Sequence, residues 1–243
     1  IIQKGSKNEK IQTIAIGLAG ENKVYGASVE HGSGASASRV GTGTVMGDKN
    51  LKAISVYGTK DLAVANPSRL IELSEQILSR TYKTRTEIFD KMESRLIRHL
   101  MRVGGYGNFS GVISPELQKE IDGLTEKSKD YFTTKMAREV GCYNCAMRCK
   151  HAYLNPEGEY TFMRCSSWTA PMITTQILEP DFAVAFMSLC EKYGLDVKAT
   201  SSAIALAIDL YERGILTKED TDGMHLEWKN PELTLSLIDK IAR

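Results

Sequence analysis

Three cysteines packed into eight residues constrain this chain more than any other feature. The run Gly141-Cys142-Tyr143-Asn144-Cys145-Ala146-Met147-Arg148-Cys149 has the spacing C-x2-C-x3-C, which lets a single loop wrap three thiolates around one corner of a cubane cluster. Soft thiolate ligands suit iron–sulfur clusters or zinc. A [4Fe–4S] cluster takes four cysteine ligands, so a fourth has to come from elsewhere. Zinc prefers paired CxxC units or a well-placed histidine. His151 stands two residues after Cys149, so a Cys3His zinc site stays open, as does a set of inert buried thiols.

Two further cysteines bring the total to five, Cys165 and Cys190 being the others. An odd number with three so close together is a poor disulfide framework and points to a reducing compartment, hence the cytoplasm. Cys165 lies 16 positions beyond Cys149. It reads as a core thiol, a cluster ligand or a ligand to a second metal. Cys190 follows Leu189 on the apolar face of a helix, where a free cysteine behaves as a small hydrophobe.

Composition narrows the class. The 243 residues carry 31 basic and 30 acidic side chains, a formal net charge of +1. A nucleic-acid binder would show a basic excess or stripe, and none is visible. No apolar run reaches the roughly 20 residues that span a bilayer. The chain opens on Ile1-Ile2-Gln3-Lys4 without a signal-peptide pattern. The helix at Pro231 to Arg243 meets no stop signal. Both ends read as cuts in a longer protein.

Along the chain the character changes once. Ile11 to Ile16, Lys23 to Val29 and Leu51 to Tyr57 read as strands. Between the second and third lies the Gly-, Ser- and Thr-rich stretch Gly32 to Gly47, suited to a backbone that passes close to something else, or to a structural hairpin. After Asp61 the pattern is helical. Asn66-Pro67 caps a helix with Leu70, Leu73, Ile77 and Leu78 on its expected buried face. A second helix is expected over Glu87 to Met101, and a loop at Gly104 to Asn108. Pro115 to about Val140 is polar and partly helical. Pro180 opens a helix, and Ala199 to Arg213, apolar nearly all round, predicts a buried core helix stopped by Gly214. Asn230-Pro231 starts the last. The four histidines read as surface or packing residues, and Tyr160 and Trp168 as core residues.

Several segments in order resemble one family. Ala15-Ile16-Gly17-Leu18-Ala19-Gly20-Glu21-Asn22, Arg39 through Ile54, the three-cysteine loop, Glu191-Lys192-Tyr193-Gly194-Leu195-Asp196-Val197, and Asp222 through Asn230 are similar to successive motifs of the aldehyde:ferredoxin oxidoreductases, enzymes built around a tungsten–pterin. The resemblance implies an α+β fold. Residues 1–60 would be the C-terminal part of a β-rich, pterin-binding base domain, and residues 61–243 a mainly helical middle domain with the cluster loop.

The resemblance also implies site residues. Cys142, Cys145 and Cys149 would bind a [4Fe–4S] cluster whose fourth cysteine lies outside this chain. Ser36, Arg39, Gly41, Gly43, Glu191, Gly194, Leu195 and Asp196 would contact a tungsten or molybdenum bis-pterin, with Arg39 as a charge partner for phosphate. Aldehyde oxidases of the family carry a second glutamate where Thr161 stands in Glu159-Tyr160-Thr161-Phe162. That departure makes the segment more similar to the active-site subunit of class II benzoyl-CoA reductases, in which a cysteine near this place ligates tungsten. Cys165 matches it and is the expected catalytic residue. The upstream stretch Val103 to Ala137 lacks the histidines of that subunit, which speaks against a benzoyl-CoA substrate. The implied activity is electron transfer between a carbonyl or acyl-type substrate and ferredoxin or a partner subunit, with a homo-oligomer left open. The competing expectation is a non-catalytic, cluster- or zinc-binding helical module for assembly.

Overall fold

The computed structural model describes residues 11–32, 34–81, 106–107, 114–142, 145, 148–155, 157–164 and 167–243. Its first sheet has four antiparallel strands in the order β3-β2-β1-β4: β1 (Gln12–Ile16), β2 (Val29–His31), β3 (Ala35–Ala37) and β4 (Ala53–Val56). Two short helices are set among them, α1 (Leu18–Glu21) and α2 (Thr42–Asp48). The Gly-rich stretch is therefore a hairpin followed by a helical turn. Lys23 to Val29 is not the expected strand. Lys23 has φ 59, and Val24 and Ala27 bond locally to Ala19 and Val24, so the backbone turns twice before β2 begins at Val29.

A helix over 67–81, α3, starts where Asn66 and Pro67 predict. The Asn66 side chain accepts from the Arg69 amide at 3.0 Å. Its expected buried face is corrected: Leu70, Leu73, Ile77 and Leu78 are 39–62% exposed. The apolar period is correct for a helix, but no described element of this chain covers the stripe. The helix expected over Glu87 to Met101 lies outside the described residues, as does all of the Gly104 to Asn108 loop except 106 and 107.

The second half begins with α4 (Pro115–Lys135), whose N-cap Ser114 accepts from the Leu117 amide. Then comes a sheet that the reading as a helical domain did not foresee, antiparallel in the order β5 (Arg138–Val140), β6 (Lys150–Leu154) and β7 (Tyr160–Arg164). Tyr160, expected in the core, is 52% exposed beneath the Arg138 guanidinium. Trp168 is buried as expected.

Four helices close the fold: α5 (Thr169–Thr175), α6 (Pro180–Tyr193), α7 (Val197–Glu212) and α8 (Pro231–Ala242). Their facing stripes, including Met172, Phe182, Phe186, Met187, Ile204, Ile208 and Ile238, make the main core together with Ala19 and Ala27 from the first half. Helix α7 is amphipathic rather than buried all round, since Leu206 is 47% exposed. Gly214 ends it at φ 70, its amide bonded to the Tyr211 carbonyl. Among the described residues no helix is long and apolar enough to cross a membrane.

The two halves meet along a backbone seam. The Ser28 amide donates to the Gly194 carbonyl and the Asp196 amide to the Gly26 carbonyl, both at 2.8 Å, and Ala27 bridges Leu195. The Asn22 side chain reaches the Ala242 carbonyl at 2.8 Å. This seam positions the site.

Candidate cofactor site

A cavity of about 210 Å³ lies beside the seam. One wall comes from the first sheet and its loop: Glu30 on β2, Ser36 on β3, then Ser38 and Arg39. The other comes from the α6–α7 junction: Met187, Glu191, Leu195, Asp196, Val197 and Lys198, with Ser167 at the start of the helical segment. Of the eight residues expected at a cofactor, five (Ser36, Arg39, Glu191, Leu195 and Asp196) line this one cavity, although more than 150 positions of sequence separate the two groups.

The lining carries both signs of charge. Arg39 and Lys198 supply positive charge, suited to phosphate oxygens. Glu30, Glu191 and Asp196 supply carboxylates, which accept hydrogen bonds from N–H edges. The carboxylates are anchored by their surroundings. The Ser28 hydroxyl donates to Glu30 Oε1 at 2.5 Å. Asp196 is the N-cap of α7, its Oδ1 accepting from the Ala199 amide at 2.6 Å. Glu191 accepts from the Thr161 hydroxyl at 2.8 Å and from the Phe162 amide at 3.2 Å to each oxygen. A second glutamate at 161 would set two carboxylates against each other within hydrogen-bonding distance, so Thr161 is the compatible partner for Glu191.

The other three expected residues, Gly41, Gly43 and Gly194, do not line the cavity and serve the backbone beside it. Gly194 is the left-handed cap of α6 at φ 69, and a Cβ there would stand 2.6 Å from the Gly17 nitrogen. Gly43 lets α2 lie against the chain at Ala27 and Ser28. Arg39 itself has φ 72, a conformation that costs a residue with a Cβ about 1–2 kcal/mol. Strain of this kind is commonest where a side chain has to be aimed.

The cysteine loop is the tip of the β5–β6 hairpin. Val140 pairs with Lys150, so Gly141 and Cys149 stand at the neck of a nine-residue loop. The Cys145 amide donates to the Cys142 carbonyl at 3.0 Å, a tight turn between two of the thiols. Cys142 is exposed, and Cys145 and Cys149 are partly so. Three soft donors on one loop fit an iron–sulfur cluster chemically. Among the described residues no three His, Cys, Asp or Glu side chains stand close enough together to hold a metal ion.

Cys165 lies outside the described residues; Ser167, two positions on, lines the cavity. Cys190 is fully buried, as expected of a core thiol. Burial, and next the negative charge of Asp196, push its thiol well above the usual range, so it stays protonated and unreactive. Sequence reasoning missed Glu30, Ser38, Ser167, Met187, Val197 and Lys198. Only Lys198 carried a usable signal, being a cation two residues beyond Asp196 at the start of a helix.

Comparison with known proteins identifies the family. Residues 1–58 match the family described as the aldehyde ferredoxin oxidoreductase N-terminal domain, and residues 45–243 match that of its domains 2 and 3. The chain is 28% identical over its whole length to the tungsten-containing aldehyde ferredoxin oxidoreductase of Pyrococcus furiosus, covering 40% of that protein. It is 30% identical over 94% of its length to the aliphatic sulfonate oxidoreductase, WOR-like subunit, of the same organism, covering 37% of it. Among solved structures, the active site complex BamBC of benzoyl coenzyme A reductase with 1,5-dienoyl-CoA matches at TM-score 0.77 and 32% identity, over 99% of this chain and 38% of that one. The chain thus spans about two-fifths of the length of these relatives. With both family domains matched in order and the fold shared, the chain belongs to the aldehyde ferredoxin oxidoreductase family.

Proposed function

We propose that this chain forms one side of a pterin-held tungsten or molybdenum centre and carries three ligands of a neighbouring [4Fe–4S] cluster, within an oxidoreductase acting on a carbonyl or acyl-type substrate. The observation that carries the reading is the convergence of Ser36, Arg39, Glu191, Leu195 and Asp196 on one cavity lined by cations and carboxylates. A pterin is itself bipolar, with a phosphate at one end and an N–H-rich ring at the other. Arg39 and Lys198 match the first end, and Glu30, Glu191 and Asp196 the second.

The roles divide as follows. Arg39 and Lys198 hold phosphate. The carboxylates of Glu191 and Asp196 orient the ring, and buried Leu195 excludes water from it. Cys142, Cys145 and Cys149 hold the cluster, with the fourth thiolate supplied from outside this chain, and Cys165 supplies a thiolate toward the metal. The metal–pterin, when bound, supplies the electron-pair chemistry, and the protein supplies position and electrostatics. Electrons leave toward ferredoxin or a partner subunit in a reducing, cytoplasmic setting.

The test is to purify the full-length protein without oxygen and measure its metals and its electron paramagnetic resonance spectrum after reduction. Tungsten or molybdenum together with a cluster signal supports the reading. Iron-free, tungsten-free and molybdenum-free protein overturns it, and zinc retained without a cluster signal favours an assembly module instead. Assays with aldehydes and acyl thioesters, each with ferredoxin as acceptor, then separate the substrate classes.

A further inference from the structure

We propose that Thr161 is a positioning residue that fixes the Glu191 carboxylate against the cofactor, so that strand β7 braces the acidic wall of the cavity. This deepens the pterin reading above and rests on it.

Glu191 lies near the C-terminal end of α6 and is only half-buried. A glutamate in such a place samples several rotamers unless it is held. Here it is held from another element. Thr161, 1% exposed and the second residue of β7, donates its hydroxyl to Oε2 at 2.8 Å, and the amide of the next residue, Phe162, reaches both oxygens at 3.2 Å. Hydrogen bonds to an ionised acceptor are the stronger kind. A carboxylate offers about four acceptor positions, so a grip from β7 is compatible with accepting a ring N–H from the cavity side.

The same strand supports the opposite wall. Gly34, at the turn between β2 and β3, has φ 66, and a Cβ there would collide with the Phe162 side chain. Phe162 thus underpins the hairpin that carries Ser36, while its amide holds Glu191. One strand sets the distance between the two walls. A valine at 161 would keep the shape and delete the hydroxyl that donates to Glu191 Oε2.

The experiment uses full-length protein produced anaerobically with tungstate. It measures the pterin retained per polypeptide through repeated desalting, by the fluorescence of the oxidised pterin. Thr161→Val is expected to lose pterin about tenfold faster than wild type, the scale of one hydrogen bond to a charged group. Thr161→Ser is expected to restore retention. In a Glu191→Ala background, Thr161→Val is expected to add nothing. Wild-type retention by Thr161→Val overturns the proposal, and so does an equal further loss in the Glu191→Ala background, which would mark Thr161 as merely structural. Should Thr161→Val not fold, Thr161→Ala read against Thr161→Ser carries the test: the two differ by the hydroxyl alone, the alanine variant is expected to lose pterin about tenfold faster than the serine variant, and equal retention by the two overturns the proposal. Wild-type protein that never contains pterin removes the underlying reading, and this proposal with it.

Discussion

Gly17 and Gly194 are packed backbone to backbone, so that a Cβ on Gly194 would stand 2.6 Å from the Gly17 nitrogen and 3.0 Å from its Cα. This contact sits on the seam that brings Arg39 and Glu191 to one cavity. Gly194 is left-handed at φ 69, and so is Gly214 at φ 70, but a Cβ on Gly214 would meet nothing within 4 Å. The pair separates two costs. Gly214→Ala should lose only the backbone term, about 1 kcal/mol. Gly194→Ala should lose about 1–3 kcal/mol more from overpacking. Urea denaturation of both variants checks it, and equal losses would mean that the seam yields without cost.

Asp196 combines a structural and an electrostatic role that substitution can divide. It is 5% exposed, caps α7 through the Ala199 amide, and faces the cavity. Asparagine caps about as well as aspartate, so Asp196→Asn should keep stability within a few tenths of a kcal/mol. Asp196→Ala should lose about 1 kcal/mol. Both should retain less pterin, because both lose the charge. Unfolding curves beside pterin content test the division. Full retention by Asp196→Asn would reduce Asp196 to a helix cap.

What could be read from the sequence follows how local its cause is. Asn66-Pro67, Pro180, Asn230-Pro231 and Gly214 announce helix ends through contacts within a few residues, and the helices begin or end there. The β5-β6-β7 sheet was not foreseen, because Arg138 pairs with Ala152 and Lys150 with Arg164 across long gaps, and short strands beside a cysteine loop leave little alternating pattern. Lys23 to Val29 looked extended, yet the positive φ at Lys23 turns the chain. The exposed stripe on α3 shows that periodicity predicts a face without saying what covers it. Arg39, Glu191, Leu195 and Asp196 came from ordered motifs and Ser36 from the Gly-rich stretch beside them, whereas Glu30 and Ser167 reach the cavity only through tertiary packing that no spacing encodes.

Arg39 pays for its position with backbone strain, and glycine should release it. Arg39→Gly removes about 1–2 kcal/mol of left-handed strain and returns part of that through greater freedom of the unfolded chain. A net stabilisation of about 0.5–1 kcal/mol is expected in thermal or urea unfolding of cofactor-free protein. The same variant deletes a cation from the cavity and should retain less pterin. Greater stability with weaker retention is the signature of a residue kept for function. Loss of stability would place the value of Arg39 in packing.

The last helix should loosen in acid. Bonds from the Arg243 guanidinium, and next from the Tyr193 hydroxyl, hold the Asp239 carboxyl below its usual range; Lys240 does the same for Asp222. A carboxyl whose folded pKa lies below its unfolded value of about 4 stabilises the fold above that value. This contribution is lost as pH falls through the folded pKa. The groups are exposed, so the effect is small and local. Amides of α8 should therefore exchange faster, relative to those of α7, once the pH drops below about 4. Asp239→Asn, which cannot ionise, should flatten that acid dependence while leaving the Tyr193 hydroxyl an oxygen to bond. Hydrogen exchange over a pH series checks this, and identical acid profiles for wild type and Asp239→Asn would show that the bonds of Asp239 do not hold α8.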